Sequence, residues 1–297
     1  MNVKAWLSAF RLRTLPLALS CIGMGGFLAA SQSKFNGLIF TLCCTTTIFL
    51  QVLSNLANDY GDTINGADHA ERIGPQRAVQ SGAISAVQMK LAMVVFILLS
   101  LVSGISLLIV SFGLNLKAIV FFLGLGLLSI VAAIAYTVGK KPYGYMGLGD
   151  LSVFIFFGLV GVLGSQYLFT KALSITQVLP ALSCGFFSIA VLNINNIRDI
   201  ESDRTAGKYS IPVRIGKAKA TQYHWFLLLG GVASAVAYVI INFDSPWQFL
   251  FLLSVPLLLA NGRAVSSLPS EKLDPFLKQM ALSTLLFVLL FGIGSLV

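Results

Sequence analysis

The chain has 297 residues, of which 57% are hydrophobic and only 10% are charged. A water-soluble domain carries about 25% charged residues. Together with a mean hydropathy of +0.87, this composition excludes an ordinary soluble enzyme and indicates a protein that lies within a lipid bilayer.

Nine apolar stretches are long enough to cross a bilayer, since a spanning helix needs about 20 mostly apolar residues. The sequence therefore predicts an all-α integral membrane protein, a bundle of nine transmembrane helices forming one domain over residues 1–297. The predicted spans are residues 14–31, 37–57, 91–112, 117–138, 148–169, 176–197, 223–242, 246–262 and 278–296.

The basic residues are distributed unevenly among the connections between these spans. If the N-terminus is cytoplasmic, 17 of the 20 Lys and Arg residues lie on the cytoplasmic side, and only Lys34, Lys117 and Lys171 lie on the other. Cytoplasmic loops of membrane proteins carry such an excess of Lys and Arg. The asymmetry supports this orientation and accounts for most of the net charge of +9 without a nucleic-acid partner. No obligate protein partner is predicted.

Two acidic segments follow the second and sixth predicted spans and align without a gap at an offset of 137 residues. The first reads NLANDYGDTINGAD from residue 55, and the second reads NNIRDIESDRTAGKYSIPVR from residue 195. Such a match predicts an internal duplication of motifs at residues 55–82 and 195–216. The matched pairs are Asn58 with Asn195, Asp62 with Asp199, Pro75 with Pro212 and Arg77 with Arg214.

The four-residue spacing places the oxygen-bearing side chains of each segment on one helical face. Carboxylates at this depth in a membrane are costly unless a cation pairs with them. Oxygen ligands suit Mg²⁺, and soft ligands for zinc or copper are missing from both segments. Gly66 stands opposite Asp203, so we expect Asp68 to supply the carboxylate there; Asp59 is either a further ligand or orients the others. The predicted metal-binding residues are Asn58, Asp62, Asp68, Asn195, Asp199 and Asp203.

Basic residues follow each acidic segment, and this combination of acid, metal and base suits a diphosphate. The metal bridges carboxylate and phosphate oxygens, while Arg and Lys bind the remaining phosphate oxygens. The predicted diphosphate-binding residues are Arg72, Arg77 and Lys208. His69 and His224 each stand alone in the sequence, and we predict that both are solvated loop histidines rather than general bases.

The motifs NDYGD, GAD, RIGPQRAVQSG and NNIRDIESDRTAGKYSIPVRIG resemble those of the UbiA superfamily of membrane prenyltransferases. Within it they are most similar to the branch that acts on 1,4-dihydroxy-2-naphthoate. The segments at residues 10–20 and 135–158 are also similar to this branch, so the resemblance covers essentially the whole chain. Many other members have Asp at the position of Gly66, whereas the naphthoate branch has its acid two residues later, as Asp68 is here.

The resemblance implies a multi-pass protein of the bacterial cytoplasmic (inner) membrane, with a polar cavity capped by two cytoplasmic loops and open laterally to lipid. It implies two Mg²⁺ ions, a polyprenyl diphosphate donor and decarboxylative prenylation of the naphthoate ring, which gives demethylmenaquinone in menaquinone biosynthesis. Asp62, Asp199 and Lys140 would be the catalytic residues, Lys140 by holding the acceptor carboxylate. The residues predicted for the aromatic substrate are Tyr136, Lys140 and Arg13, with Lys141 as a further candidate.

Two alternatives remain open at this point. The acceptor could be another aromatic ring, such as 4-hydroxybenzoate or homogentisate. The chain could also be a cation-coupled secondary transporter, because internal repeats and intramembrane carboxylates occur in that class as well. Transporter sites lie near the membrane midplane on broken helices, whereas these acids lie at helix ends and continue into basic loops, which favours the enzyme.

Overall fold

The computed structural model describes residues 2–67 and 76–297. Within these residues the chain is helical with no β-strand, and nine helical segments are long and apolar enough to cross a membrane, as predicted. The first span comprises α1 and α2, and α8 is too short to be a span. The helices are α1 (Val3–Phe10), α2 (Leu15–Ala30), α3 (Gly37–Ile64), α4 (Ala86–Phe112), α5 (Leu116–Ala135), α6 (Gly149–Thr170), α7 (Ile175–Arg198), α8 (Ile200–Thr205), α9 (Ile211–Ile241), α10 (Pro246–Ser267) and α11 (Asp274–Leu296).

The first span is interrupted between α1 and α2. Arg11 has a left-handed backbone conformation (φ 48°), and a 3₁₀ turn at Leu12–Thr14 precedes α2. Pro16 then lies in the first turn of α2. Backbone N–H groups in this turn have no acceptor within the helix, so the N–H that proline lacks costs no hydrogen bond. Arg11 and Arg13 at this break line a cavity within the bundle, whereas Leu12 between them is exposed.

Two helices extend further than hydropathy alone predicts. Helix α3 continues to Ile64, seven residues beyond the predicted end at residue 57, so residues 55–64 of the first acidic motif are helical. Helix α9 begins at Ile211, twelve residues before the predicted start at residue 223, and Gly216 interrupts it with a positive φ of 78°. Hydropathy detects the apolar part of a helix, whereas the backbone hydrogen bonds continue through the polar residues at its end.

The bundle closes on itself because the last helix, α11, packs against α2 as well as against α7 and α10. Aromatic side chains fill the centre, with the rings of Phe187 and Phe287 4.9 Å apart and those of Phe251 and Phe287 5.0 Å apart. Gly292 lies against the ring of Phe27, which leaves no space for a Cβ atom. Small residues at such crossings let membrane helices approach closely.

Candidate active site

Two adjoining cavities lie inside the bundle. The smaller, the polar cavity, has a volume of about 160 Å³ and lies where α3 and α7 end. It brings together the two acidic motifs, which are far apart in the sequence. Its lining includes every described residue predicted to bind metal or substrate except Lys140 and Lys141. These residues are Arg13, Asn58, Asp62, Arg77, Tyr136, Asn195, Asp199, Asp203 and Lys208.

The first motif is fixed to the segment that follows α5. The Thr137 hydroxyl donates to Asn58 Oδ1 at 3.2 Å and to the Ala57 carbonyl at 2.9 Å. The Tyr145 hydroxyl donates to Asp62 Oδ1 at 2.9 Å, and both of these side chains are buried. The predicted face of Asn58 and Asp62 is therefore directed into the polar cavity, with one Asp62 oxygen held by a phenol.

Asp59, whose role the sequence left open, has contacts that fit an orienting residue. Its two carboxylate oxygens accept the backbone N–H groups of Ala78 and Val79, each at 3.0 Å. These contacts hold the backbone immediately after Arg77, which lines the polar cavity. The negative charge of Asp59 is thus used to fix the loop that carries a predicted diphosphate-binding residue.

The second motif contains a break that the four-residue spacing did not predict. Helix α7 ends at Arg198, and Asp199 has a φ of −98° and a ψ of 15° before α8 begins. Arg198 Nε and Nη2 donate to the two oxygens of Asp199 at 2.8 and 2.7 Å, and Nη2 also donates to Asn195 Oδ1 at 2.9 Å. One buried guanidinium therefore orients two of the predicted metal-binding residues.

Asp203 and Lys208 form a buried ion pair, with the Lys208 ammonium 3.3 Å from Asp203 Oδ1. Asp203 Oδ2 is also buried and has no hydrogen-bond partner within the described part of the chain. Burial is the main cause that raises the pKa of Asp203, and with the opposing effect of Lys208 and the neighbouring carboxylates of Asp199 and Asp62 the pKa is about 6. Burial alone would lower the pKa of Lys208, but the nearby carboxylates, Asp203 above all, outweigh burial and raise this pKa. The ammonium therefore stays charged.

These residues fit a hard divalent cation. Of the predicted ligands, three carboxylates and two amide side chains line one polar cavity, and the unpartnered Asp203 Oδ2 is an oxygen ligand that a cation would satisfy. Among the described residues, no group of three or more Asp, Glu, His or Cys side chains is already close enough to hold an ion alone. Mg²⁺ commonly completes its ligand set with water and substrate phosphate oxygens, so a cavity of this kind suits it.

The other predicted residues are placed less favourably or fall outside the described part. Lys140 and Lys141 are exposed, and the structure brings neither of them into the two cavities described here. Arg13 lines the polar cavity, but its guanidinium is paired with Asp274 at 2.8 Å. Asp68, His69 and Arg72 lie outside the described residues.

The larger cavity, the apolar cavity, has a volume of about 390 Å³ and is lined mainly by aliphatic and aromatic side chains. Its lining on α3 runs from Cys43 to Asn58, which corresponds to ~22 Å along a helix. Gln51, Asn58, Tyr136, Val153, Phe157 and Leu192 line both cavities. The pair of cavities therefore suits an amphiphile with an anionic head and a long apolar tail.

Sequence reasoning missed Thr137, Tyr145 and Asp274, because each makes a long-range contact that no local pattern reveals. It also missed the role of Arg198, although this residue lies in the second motif one residue from Asp199 and three from Asn195. The expectation for His224 was wrong. It is fully buried in α9, and its Nε2 lies 2.9 Å from Asn261 Oδ1. The helix that contains it begins earlier than hydropathy indicates, and a polar partner on α10 compensates for its burial.

Comparisons with known proteins agree with this geometry. The sequence profile of the UbiA prenyltransferase family matches residues 18–294. The 1,4-dihydroxy-2-naphthoate octaprenyltransferase of Haemophilus influenzae is 48% identical over 300 residues, which cover 100% of this chain and 97% of that protein. The enzyme of the same name from Escherichia coli is 45% identical over 294 residues, with 99% of this chain and 95% of that protein covered.

Two solved structures share the fold. The apo structure of a UbiA homolog from Aeropyrum pernix K1 superposes with a TM-score of 0.68 at 19% identity, over 96% of this chain and 97% of that chain. A UbiA homolog from Archaeoglobus fulgidus bound to GPP and Mg²⁺ gives a TM-score of 0.61 at 16% identity, over 97% and 99% of the two chains. At these identities the likeness establishes the fold.

Proposed function

Since this chain belongs to the UbiA prenyltransferase family, we propose that it transfers a polyprenyl group from its diphosphate to 1,4-dihydroxy-2-naphthoate. The observation that carries this proposal is its 48% and 45% identity, over nearly the whole chain, to two enzymes named for that activity. Those enzymes use an octaprenyl group, so we propose a donor of similar length. Loss of the acceptor carboxyl group as CO₂, with its bonding electron pair left on the ring, would give the quinol form of demethylmenaquinone, an intermediate of menaquinone biosynthesis.

The two cavities suit the two parts of the donor. The prenyl tail would lie in the apolar cavity, and the diphosphate would lie in the polar cavity, with the reacting carbon between them. Asn58 and Tyr136 line both cavities and mark that boundary. The apolar walls beyond it exclude water, which would otherwise capture the allylic cation formed when the C–O bond breaks.

Mg²⁺ is the cofactor that these residues fit, and a family member of the same fold is bound to it together with a prenyl diphosphate. When bound, Mg²⁺ would supply positive charge to the leaving diphosphate. Among the described residues, Asn58, Asp62, Asn195, Asp199 and Asp203 would hold it, and we propose that Asp68 joins them.

Fixed cations of the chain would bind the rest of the diphosphate charge. Lys208 is buried, stays ionised beside Asp203 and lines the polar cavity. Arg77 lines the same cavity from a loop that Asp59 holds in place. We propose that both contact the diphosphate together with Arg72. Because charge on the leaving group grows as the C–O bond breaks, these contacts strengthen in the transition state.

The acceptor would attack the prenyl cation through an electron-rich ring carbon. A new C–C bond forms, the diphosphate leaves with the electron pair of the broken C–O bond, and the carboxyl group is released as CO₂. We propose that Tyr136, which lines both cavities, contacts the ring, and that Arg13 and Lys140 attract the acceptor carboxylate. These assignments come from the sequence motifs, and for Lys140 they require the exposed side chain to turn toward the cavity.

We also propose that the protein lies in the bacterial cytoplasmic membrane with its N-terminus and both acidic motifs in the cytoplasm. The 17-to-3 division of basic residues supports this orientation. A cysteine placed at exposed Glu201 should react with an impermeant maleimide from the cytoplasmic face, and one at Lys171 should react from the opposite face. Labelling of both from one face would contradict the orientation.

Product analysis tests the reaction itself. Purified protein in detergent is incubated with octaprenyl diphosphate, Mg²⁺ and one acceptor, and the products are identified by mass spectrometry. We expect a prenylated, decarboxylated product from 1,4-dihydroxy-2-naphthoate, its loss with EDTA and its return with excess Mg²⁺. Faster turnover of 4-hydroxybenzoate or homogentisate would contradict the proposed acceptor. The absence of product with all three acceptors would contradict the proposed prenyltransferase activity.

A further inference from the structure

A chain of alternating charges connects the second acidic motif to the last transmembrane helix. Arg198 lies at its centre, with a side chain that is 1% exposed. Its guanidinium donates to both oxygens of Asp199 on one side and to Asp274 Oδ1 on the other. The second oxygen of Asp274 accepts from Arg13 at 2.8 Å.

Asp274 belongs to neither acidic motif. It is the first residue of α11 and lies 76 residues beyond Arg198 in the sequence. Its side chain is 32% exposed, so water screens its charge only in part. Through this one carboxylate, the start of α11 and the turn before α2 are both connected to Asp199.

The pairing with Arg198 does not by itself prevent Asp199 from binding a cation. Each carboxylate oxygen has two lone pairs, and a fork-like pairing with a guanidinium engages one on each oxygen. The same guanidinium holds Asn195 Oδ1 at 2.9 Å, so it sets the orientation of both side chains that line the polar cavity.

The positive charge of Arg198 explains why a second carboxylate, that of Asp274, is needed. A buried guanidinium beside a metal site repels the incoming cation, and this repulsion is strong where water is excluded. Asp274 offsets the positive charges of Arg198 and Arg13, both of which line the polar cavity. Without Asp274, the guanidinium would direct its whole charge toward Asp199 and compete with the metal for that carboxylate.

We propose that Arg198 and Asp274 are positioning residues of the metal site. Arg198 fixes the plane of Asp199 and the amide of Asn195, while Asp274 anchors Arg198 and compensates its charge so that Asp199 remains an effective ligand for a divalent cation. This inference rests on the proposed function to the extent that the acidic motifs bind Mg²⁺, and it assigns to α11 a part in metal binding.

The test is direct cation binding to purified protein without substrate. Mn²⁺ serves as a paramagnetic stand-in for Mg²⁺, free Mn²⁺ is counted by electron paramagnetic resonance, and Mg²⁺ is titrated in competition. We expect Asp274→Asn to raise the Kd for both cations about tenfold and Asp274→Glu to restore much of the affinity. Glu271→Gln is the matched control, because it removes one negative charge from an exposed side chain three residues earlier and should leave the Kd unchanged.

Equal Kd values for Asp274→Asn and Glu271→Gln would overturn the proposal. Size-exclusion chromatography and thermal unfolding show whether each variant is folded. If Asp274→Asn does not fold, Arg198→Lys decides, since it keeps a cation but loses the fork, and a Kd within twofold of the parent protein would overturn the proposal.

Prenyl transfer is measured separately on the unchanged protein. If that protein makes no prenylated product but the variants weaken Mn²⁺ binding as expected, the proposed function fails and the positioning role stands. If the protein turns over and the variants bind Mn²⁺ normally, the positioning role fails and the proposed function stands.

Discussion

The hydroxyl of Tyr145 donates to Asp62 Oδ1 at 2.9 Å across 83 residues of sequence, and this bond connects the segment after α5 to the first acidic motif. The Lys208 ammonium lies 5.9 Å from the centre of the Tyr145 ring. The backbone carbonyl of Tyr145 accepts the N–H of Tyr209 at 2.9 Å. One buried tyrosine therefore contacts both halves of the candidate site.

Tyr145→Phe should keep this packing and remove the bond to Asp62. Hydrogen bonds to charged groups contribute about 1.5–3 kcal/mol to stability, so we expect the thermal unfolding temperature to fall by a few degrees. Because Asp62 also loses the contact that orients it, we expect kcat/KM for the prenyl donor to fall about tenfold or more. Tyr60→Phe is a control within the same motif, because the Tyr60 ring faces Lys90 at 5.2 Å. Equal effects of the two substitutions would contradict the role of the Tyr145 hydroxyl.

Asp62→Asn and Asp199→Asn should each abolish measurable turnover at saturating Mg²⁺. The substitutions keep the shape of the side chains but remove a charge that a divalent cation requires. The measurement is product formation by mass spectrometry on protein shown to be folded. Glu201→Gln, an exposed acid in α8 that pairs with Arg204, should retain near-normal turnover. Substantial activity of either variant would contradict the assignment of Asp62 and Asp199 to a metal site.

Lys208→Ala and Lys140→Ala should separate the donor from the acceptor. Loss of the buried Lys208 should lower kcat and raise KM for the prenyl diphosphate, because its charge stabilises the leaving group. Loss of the exposed Lys140 should raise only the KM for the naphthoate, and by less, because solvent screens its charge. Two-substrate steady-state kinetics measure both effects. A changed KM for the prenyl diphosphate in Lys140→Ala, or a changed KM for the naphthoate in Lys208→Ala, would contradict this division of the site.

Gly61→Ala should distort the candidate site because the added Cβ atom would overlap the backbone of Thr137. A Cβ atom at Gly61 would lie 2.6 Å from the backbone carbonyl carbon and oxygen of Thr137, which cannot yield as a flexible side chain could. We expect a clear drop in unfolding temperature and loss of most activity, because Thr137 holds Asn58. Gly124→Ala on α5, where nothing lies within 4 Å of the new atom, should have neither effect.

The sequence predicted which residues come together better than it predicted how they are held. The offset of 137 residues matched Asn58 with Asn195 and Asp62 with Asp199, and all four line one cavity. Nothing local could reveal that Asp274 binds Arg198, since that contact depends on how α11 meets α7. Long-range partners such as this one are determined by packing rather than by spacing.

Lys208 and Lys140 illustrate the same limit. Both follow helix ends in basic segments, and the sequence alone gives them similar environments. The structure buries Lys208 against Asp203 and leaves Lys140 exposed. Burial depends on the neighbouring elements that cover a loop, and hydropathy carries no information about them.

A second polar network, remote from the acidic motifs, should stabilise the bundle. Asn261 on α10 accepts from His224 Nε2 at 2.9 Å and donates to the Phe276 carbonyl at 3.0 Å and to Gln279 Oε1. Because both amide hydrogens of Asn261 are used as donors, the His224 ring must carry its proton on Nε2. The network connects α9, α10 and α11 through the fully buried side chains of His224 and Asn261 and the half-buried side chain of Gln279.

Asn261→Leu should therefore lower the unfolding temperature in detergent, because it leaves His224 and Gln279 with unsatisfied polar groups inside the bundle, at a cost of about 1–3 kcal/mol. His224→Phe removes the other side of the contact, and the double variant completes a double-mutant cycle. Hydrogen bonds between membrane helices contribute about 0.6 kcal/mol on average and at most about 1.7, so we expect a coupling free energy in that range, with the KM for both substrates unchanged in folded protein. A coupling free energy of zero would show that the two side chains act independently, and an altered KM would show that the network also reaches the polar cavity.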